Sequence, residues 1–154
     1  VKPIPDGYHS IAPYLIVKDV QRALDFYENA LGAEVKVKLV MPDGSIGHSE
    51  FRVGNSIIMM GEESKQMGFY ATGHYGGSQV SLHLYTEDSQ ALFDRAVKAG
   101  ASVVQPVDMM FWGAKAGKIK DPFGYEWMIS TQVEEVSPQE MDARLRKMYG
   151  GAAA

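Results

Sequence analysis

The sequence predicts an α+β domain made of two tandem βαβββ modules followed by a C-terminal helix. The first supporting observation is an internal repeat. Asp19 to Gly32 and Asp88 to Gly100 enclose similar helical patterns, and the two helix starts are 69 residues apart. The second is an alternating run over 35–41, in which Lys36 and Lys38 separate Val35, Val37 and Leu39, a pattern typical of a half-buried strand. Two copies indicate duplication rather than a solenoid.

The first module follows from local signals taken in order. Asp19 is placed to cap a helix, because its carboxylate can accept from the free amides of the first turn. Gly32 is placed to end that helix. We therefore predict a strand over 10–17, the helix from Asp19 to Gly32, and strands over 35–41, 46–53 and 56–60.

The second module repeats this order. A helix that opens at Glu87-Asp88 and closes at Gly100 follows a strand over 79–86. Asp121-Pro122-Phe123-Gly124 is a turn signal between two further strands. The remaining strands are predicted over 102–110, 116–120 and 125–131.

These elements divide the chain into four parts. Residues 1–60 form the first module, 61–78 a connecting loop, and 79–132 the second module. Residues 133–154 form the C-terminal helix and a flexible tail. The helix begins with the capping box Ser137-Pro138-Gln139-Glu140 and carries an apolar stripe. The glycine-rich loop holds Tyr70, His74 and Tyr75, so either a lid over the site or an ordinary solvated loop is expected.

Composition excludes several classes of function. The formal net charge is -4 with no basic run, so we expect neither a nucleic-acid partner nor an anionic membrane partner. There is no cysteine, which excludes disulfides and a thiol nucleophile and suits a cytoplasmic location. No apolar run approaches the roughly 20 residues that span a bilayer.

The motifs resemble those of a known superfamily. A βαβββ duplication with Asp-Pro-Phe-Gly before the last strand is similar to the vicinal oxygen chelate superfamily, which includes glyoxalase I, extradiol dioxygenases and bleomycin-resistance proteins. The stretches that resemble its PhnB-like subgroup are Val80 to Tyr85, Phe111-Trp112-Gly113, Gly117-Lys118, Asp121 to Gly124 and Trp127-Met128-Ile129.

The resemblance implies a curved mixed sheet around a cup that holds a small molecule, usually in a homodimer. It also implies a divalent metal held by His and Glu. Carrying those ligand positions over by counting from the strand ends gives Ala12, Met59, Ser81 and Met128. None of the four is a usual ligand for a cation that prefers nitrogen and oxygen donors. We therefore expect no metal and no other cofactor at that place.

Other polar residues offer alternatives. His48 and Glu50 are two apart on a strand and share a face, and with His83 they are candidates for a relocated metal or a polar pocket. Arg52 continues that face and is expected to pair with Glu50 or to bind an anionic ligand.

Strand alternation predicts further pocket residues. If Ser81 faces inward, so do His83 and Tyr85, while the intervening leucines face the helices. Met128 is expected on the inner face of the last strand. Phe111 and Trp112 are candidates to stack a flat ligand, with plain core packing as the alternative.

These residues favour a metal-independent small-molecule binding protein of the glyoxalase and bleomycin-resistance type. The alternative is a lyase or isomerase of the same superfamily that uses His83 or Glu50 as a general base, or as relocated metal ligands. The sequence assigns no catalytic residue.

The residues at the carried-over metal positions give a first testable expectation. Because methionine, serine and alanine side chains occupy them, we expect the purified protein to contain no stoichiometric divalent metal. Elemental analysis of protein prepared without added metal measures this. One equivalent of zinc, nickel or iron retained through dialysis would contradict the expectation.

Overall fold

The computed structural model describes residues 1–150, and the tail predicted to be flexible lies partly outside this range, at 151–154. The first module contains β1 (Tyr14–Val17), α1 (Val20–Leu31), β2 (Glu34–Val40), β3 (Ile46–Val53) and β4 (Ser56–Glu62). The second contains β5 (Leu82–Tyr85), α2 (Ser89–Ala99), β6 (Ser102–Met109), β7 (Ala114–Lys120) and β8 (Glu126–Gln132), and α3 (Pro138–Met148) follows. The predicted α+β class with two βαβββ modules is confirmed.

The strands form two four-stranded mixed sheets with the same topology. Their orders are β1-β4-β3-β2 and β5-β8-β7-β6. In each sheet the first strand runs parallel to the last, and the other neighbours are antiparallel. The helix of each module carries the chain from one edge strand to the other, from β1 to β2 and from β5 to β6. Two antiparallel steps then bring β4 and β8 back beside the first strand of their module.

The helices begin and end where their capping residues predict. The Asp19 carboxylate accepts from the Arg22 amide at 2.9 Å, and the Asp88 carboxylate accepts from the Ala91 amide at 3.0 Å. Gly32 ends α1 with a left-handed φ of 65°, a conformation that glycine adopts without a Cβ penalty. The repeat detected in the sequence is therefore a structural repeat.

Alternation along the strands separates a helix-facing side from an inner side. In β3, Ser49, Phe51 and Val53 are buried beneath α1, while His48 and Glu50 lie on the opposite face. In the second sheet the helix-facing positions of β8 are Trp127 and Ile129. The helix-facing sides of both sheets contribute to one apolar core.

The core joins the two modules through aromatic rings. Tyr27 of α1 stacks on Phe51 with ring centres 4.9 Å apart, and it contacts Trp127 of the second module at 5.7 Å. The two helices also pack side by side, where the Arg95 guanidinium of α2 donates to the Asn29 and Glu28 carbonyls at the end of α1. A cation at a helix C-terminus is favoured by the helix dipole.

Asp121 lies at the centre of this junction. Its carboxylate, only 4% exposed, accepts from the Tyr27 hydroxyl at 2.6 Å and from Trp127 Nε1 at 2.9 Å. It also accepts from the amides of Phe123 and Tyr125, both at 2.9 Å. The Tyr125 hydroxyl in turn bonds to both the amide and the carbonyl of Ile16 in β1. The predicted Asp-Pro-Phe-Gly turn is thus also the main polar connection between the modules.

Two strands are shorter than predicted, and the loop is more ordered. β1 begins at Tyr14 rather than at residue 10, and β5 begins at Leu82 rather than at residue 79. Pairing decides this, because β1 and β5 are edge strands that pair only where β4 and β8 run beside them. The loop contains two short 3-10 helices, Lys65–Met67 and Thr72–Tyr75.

The last helix lies on the surface and is held by an ion-pair cluster. The Arg144 guanidinium contacts Glu134 at 2.6 Å and Glu140 at 2.8 Å, and it donates to the Phe111 carbonyl. No residue of α3 is buried. Among residues 1–150 there is no helix with the length and apolar character needed to cross a bilayer.

The Asp121 hub predicts an unequal response of two turn aspartates. Replacing Asp121 with Asn removes the buried negative charge that accepts hydrogen bonds from four donors. The substitution should lower the free energy of unfolding by about 3 kcal/mol or more. Asp43→Asn is the matched control, because the Asp43 carboxylate accepts only from Ser45 in an exposed turn. Denaturant unfolding measures both losses. Equal losses in the two variants would contradict the role given to Asp121.

Candidate functional site

A chain of four polar side chains runs across the inner face of the first sheet. The Tyr14 hydroxyl lies 3.0 Å from His48 Nδ1, and His48 Nε2 lies 3.0 Å from Glu50 Oε1. The Tyr8 hydroxyl donates to the second carboxylate oxygen of Glu50. We call Tyr8, Glu50, His48 and Tyr14 the polar relay. It joins the N-terminal segment to two strands of the sheet.

Strand register places these residues together. Met59 of β4 pairs with Tyr14 of β1 on one side and with Glu50 of β3 on the other. His48 is two residues from Glu50 and therefore shares its face. Gly61 leaves the space that the Tyr14 hydroxyl occupies, because a Cβ on Gly61 would lie only 2.9 Å from that oxygen.

The charges within the relay fix the direction of its hydrogen bonds. Burial raises the pKa of Glu50, but hydrogen bonds from His48 and Tyr8 outweigh it, so the pKa of this carboxyl lies below its usual value. An ionised carboxylate only accepts, so His48 Nε2 carries the proton that it shares with Glu50. In the neutral imidazole, His48 Nδ1 is then the acceptor for the Tyr14 hydroxyl. Burial and the charge of Glu50 raise the pKa of Tyr14, which keeps this phenol protonated.

The second sheet carries a different arrangement at the equivalent place. His83 Nε2 lies 2.7 Å from the Ser130 hydroxyl, and its ring stacks on Tyr85 at 4.7 Å. Burial lowers the pKa of His83, so its imidazole is neutral near pH 7. His83 pairs with Met128 as Tyr14 pairs with Met59, and each pair of equivalents is 69 residues apart. The even positions Leu82 and Leu84 pack against the core, as the predicted alternation requires.

A cleft of about 550 Å³ lies at the seam between the modules. Its walls come from β1, the connecting loop, the start of β5 and Tyr125, which directly follows the Asp-Pro-Phe-Gly turn. Four of the lining side chains are tyrosines, and most of the others are apolar; they include Tyr14, Ile16, Tyr70, Tyr75, Val80, Leu82 and Tyr125. Tyr14 belongs to both the cleft and the polar relay.

The structure brings together some of the predicted site residues and separates others. His48 and Glu50 are bonded to each other, and His83, Tyr85 and Met128 cluster on the second sheet. These are two groups on two separate sheets, so His48, Glu50 and His83 do not converge on a relocated metal within one chain. The part of the chain that the structure describes holds no group of three or more His, Asp or Glu side chains arranged to bind a metal ion.

Arg52 corrects an expectation. It pairs with Glu34 at 2.5 Å rather than with Glu50. The reason is register, since Glu34 of β2 lies directly opposite Arg52 across the β2–β3 ladder. Glu50 is already engaged by His48 and Tyr8.

None of the nine residues predicted to contact a ligand is among those that line the cleft. Ser81 precedes β5 and is exposed. Phe111 and Trp112 pack edge to face at 5.1 Å in the turn between β6 and β7, where their carbonyls accept from Arg144 and Gln132. Ala12 precedes β1, and the residues paired with Met59 and Met128 are Tyr14 and His83.

Sequence reasoning missed three tyrosines, Tyr8, Tyr14 and Tyr125. Tyr8 and Tyr14 bond to residues 42 and 34 positions away, and neither lies in a motif. The one available signal was the 69-residue offset of the repeat, which makes Tyr14 the equivalent of His83. Tyr125 follows the turn motif directly, yet its contact with Ile16 is 109 residues distant.

Comparison with known proteins identifies relatives over most of the chain. The family described as the Glyoxalase/Bleomycin resistance protein/Dioxygenase superfamily matches residues 7–129. An uncharacterized protein of Mycobacterium tuberculosis is 34% identical over 145 residues, covering 92% of this chain and 85% of its own.

Two solved structures show the same fold at moderate identity. A gene product of Arabidopsis thaliana is 28% identical with a TM-score of 0.65, covering 80% of this chain and 98% of its own. A protein of Pseudomonas aeruginosa is 25% identical with a TM-score of 0.65, covering 82% and 99%. A PhnB protein from Bacillus cereus, at 15% identity and a TM-score of 0.61, shows the fold alone.

The lowered pKa of Glu50 predicts a pH-dependent stability difference. A depressed carboxyl pKa adds stability that is present above the unfolded value of 4.5 and is lost as pH falls through the folded value. Glu50→Gln removes this contribution, so the stability gap between wild type and variant should narrow as pH falls below 4.5. Urea unfolding of both proteins at several pH values measures the gap. A gap that is constant with pH would show that Glu50 is not held ionised by its neighbours.

Proposed function

The chain belongs to the Glyoxalase/Bleomycin resistance protein/Dioxygenase superfamily, and we propose that it is a small-molecule binding protein whose ligand occupies the cleft at the seam between its modules. The cleft is the observation that carries the proposal. Its volume of about 550 Å³ falls within the range of small-molecule pockets. We propose that binding needs no metal, because the walls supply rings and aliphatic groups rather than metal ligands.

The lining favours a flat and largely apolar ligand. Tyr14, Tyr70, Tyr75 and Tyr125 present aromatic rings, which stack on or pack edge-to-face against another ring. Several polar atoms of the cleft are already engaged. The Tyr125 hydroxyl bonds to Ile16, and Thr72 Oγ1 donates to the Phe123 carbonyl. Few polar groups remain for a ligand, so an aromatic compound with one or two polar substituents fits this cleft best.

The connecting loop forms one wall of the cleft. Tyr70 and His74 stack at 4.0 Å, and Tyr75 packs against both rings. The Glu63 carboxylate holds the loop by accepting from the Ala71 amide at 2.9 Å. The loop thus contributes preformed aromatic surface, which reduces the entropy cost of binding.

We also propose that the protein forms a homodimer and that it belongs to the PhnB-like subgroup. Apolar and aromatic side chains stay exposed on the inner faces, including Leu39 and Tyr85 at 56% and 63%. A second copy is the partner that the superfamily resemblance implies for these faces. His83, Tyr85 and Met128 would then be ligand contacts in a second, shared site.

An enzyme of the lyase or isomerase type is the second candidate. The polar relay favours it, because Tyr14 connects the cleft to His48 and Glu50. The second sheet offers a neutral imidazole at His83 but no carboxylate partner for it. A general base is therefore better placed in the first module.

Blocking the cleft tests the binding proposal. 2-Naphthol is the probe, because it is flat and carries one hydroxyl. Val80 lines the cleft with 68% of its surface exposed, so Val80→Trp should fill the space and reduce 2-naphthol affinity at least tenfold without unfolding the protein. Calorimetric titration measures the affinity, and a chelator should leave it unchanged.

Val104→Trp is the matched control, since Val104 is an exposed valine on β6 outside the cleft. It should bind 2-naphthol as wild type does. Wild-type affinity in the Val80→Trp variant, or no binding to wild type at all, would reject the seam cleft as the ligand site.

A further inference from the structure

We propose that the polar relay is a metal-free proton-transfer site, in which Tyr14 is the catalytic residue, His48 accepts its proton and Glu50 and Tyr8 position His48. The proposal rests on the proposed function, because the reacting molecule is a ligand of the seam cleft. Its chemical class is a carbon acid, a compound with an acidic C–H bond beside a carbonyl or C=N group. The reaction class is isomerisation or elimination.

The hydrogen bonds connect the four side chains in the sequence that proton transfer needs, from Tyr14 through His48 to Glu50. The Glu50 carboxylate accepts a hydrogen bond from the Nε2–H of His48 at 3.0 Å. In the neutral imidazole, Nδ1 is then free to accept at 3.0 Å from the Tyr14 hydroxyl. A nucleophile or base bonded to an imidazole, itself oriented by a carboxylate, is the arrangement that activates a weakly acidic hydroxyl. Tyr8 holds the other oxygen of Glu50 and so fixes the carboxylate.

The proton-transfer step balances within these groups. The Tyr14 hydroxyl proton moves to His48 Nδ1 as the Tyr14 oxygen takes the proton from the ligand carbon. The electron pair of the broken C–H bond passes into the ligand as an enolate or into a leaving group. The imidazolium of His48 then lies beside the Glu50 carboxylate, which stabilises the charge. In an isomerisation, Tyr14 then gives a proton to another ligand atom and recovers the proton held by His48 Nδ1. In an elimination, the His48 proton passes to solvent.

The duplicated module shows that the sheet does not require this relay. In the second sheet, Lys118 pairs with Met128 where Glu50 pairs with Met59, and Ser130 takes the place of Gly61. The second sheet nevertheless forms with the same order and register. The carboxylate and the imidazole of the first module are therefore additions to a fold that is complete without them.

Gly61 supports the same interpretation. Its φ lies outside the left-handed region, so its backbone conformation is open to any residue. Glycine is needed there because a Cβ would press on the Tyr14 hydroxyl. Met59 lies between Tyr14 and Glu50, and it gives the relay an apolar neighbour, which strengthens its electrostatic interactions.

Kemp elimination of 5-nitrobenzisoxazole tests the relay directly. In this reaction a base removes the C–H proton, the N–O bond breaks, a nitrile forms and a coloured phenolate is released. The probe is flat and bicyclic and suits an aromatic cleft. We expect wild-type turnover above that of buffer, and a fall in kcat of about 100-fold or more for Tyr14→Phe and Glu50→Gln. Tyr149→Phe removes an exposed hydroxyl on the surface and should leave kcat unchanged.

Chemical rescue separates proton transfer from a merely structural role. His48→Ala should lose turnover, and added imidazole should restore part of it. Thermal unfolding and 2-naphthol titration of each variant confirm that fold and cleft are intact. Two results would overturn the proton-transfer proposal and leave the binding proposal standing. In one, wild type binds 2-naphthol but does not turn over 5-nitrobenzisoxazole; in the other, Tyr14→Phe keeps the wild-type kcat. Failure to bind 2-naphthol overturns both.

Discussion

The buried carboxylate of Asp121 is the contact on which the two-module structure depends. It gathers a hydroxyl from α1, an indole N–H from β8 and two amides of its own turn. A carboxylate this far from water is costly unless its oxygens are satisfied, and four donors satisfy them here. Burial still raises the pKa of Asp121. The part of the folding stability that depends on Asp121 protonation is therefore largest at low pH. It is lost as pH rises through the pKa of Asp121 in the folded protein.

The same turn positions the candidate site. Gly124 has a φ of 91°, and a Cβ there would collide with Thr72, whose hydroxyl donates to the Phe123 carbonyl. The turn is thereby fixed against the connecting loop on one side and, through Tyr125, against β1 on the other. The seam cleft lies between these contacts. Its shape is a consequence of how the modules dock rather than of either module alone.

Duplication gave the chain two similar inner faces that have since diverged. Tyr14 and His83 occupy equivalent positions, each paired with a methionine on the neighbouring strand. The first face acquired a carboxylate and an imidazole in series, and the second a histidine bonded to a serine. A shared backbone with different polar groups is how one fold supports different chemistries. Tyr14 is the residue through which the first face meets the cleft.

Local pattern determined the modules, and tertiary packing determined the site. The sequence alone predicts the helices capped by Asp19 and Asp88 and the Asp-Pro-Phe-Gly turn, because it displays their capping and turn residues. Strand periodicity likewise predicts that His48 shares a face with Glu50, and His83 with Tyr85. The sequence does not predict the partner of Arg52, the start of β1 or the tyrosine-lined cleft, because each depends on which strands become neighbours. Contacts such as Tyr8 with Glu50 join residues 42 positions apart. Periodicity tells which face a side chain takes, but only the docking of the sheets tells what it meets there.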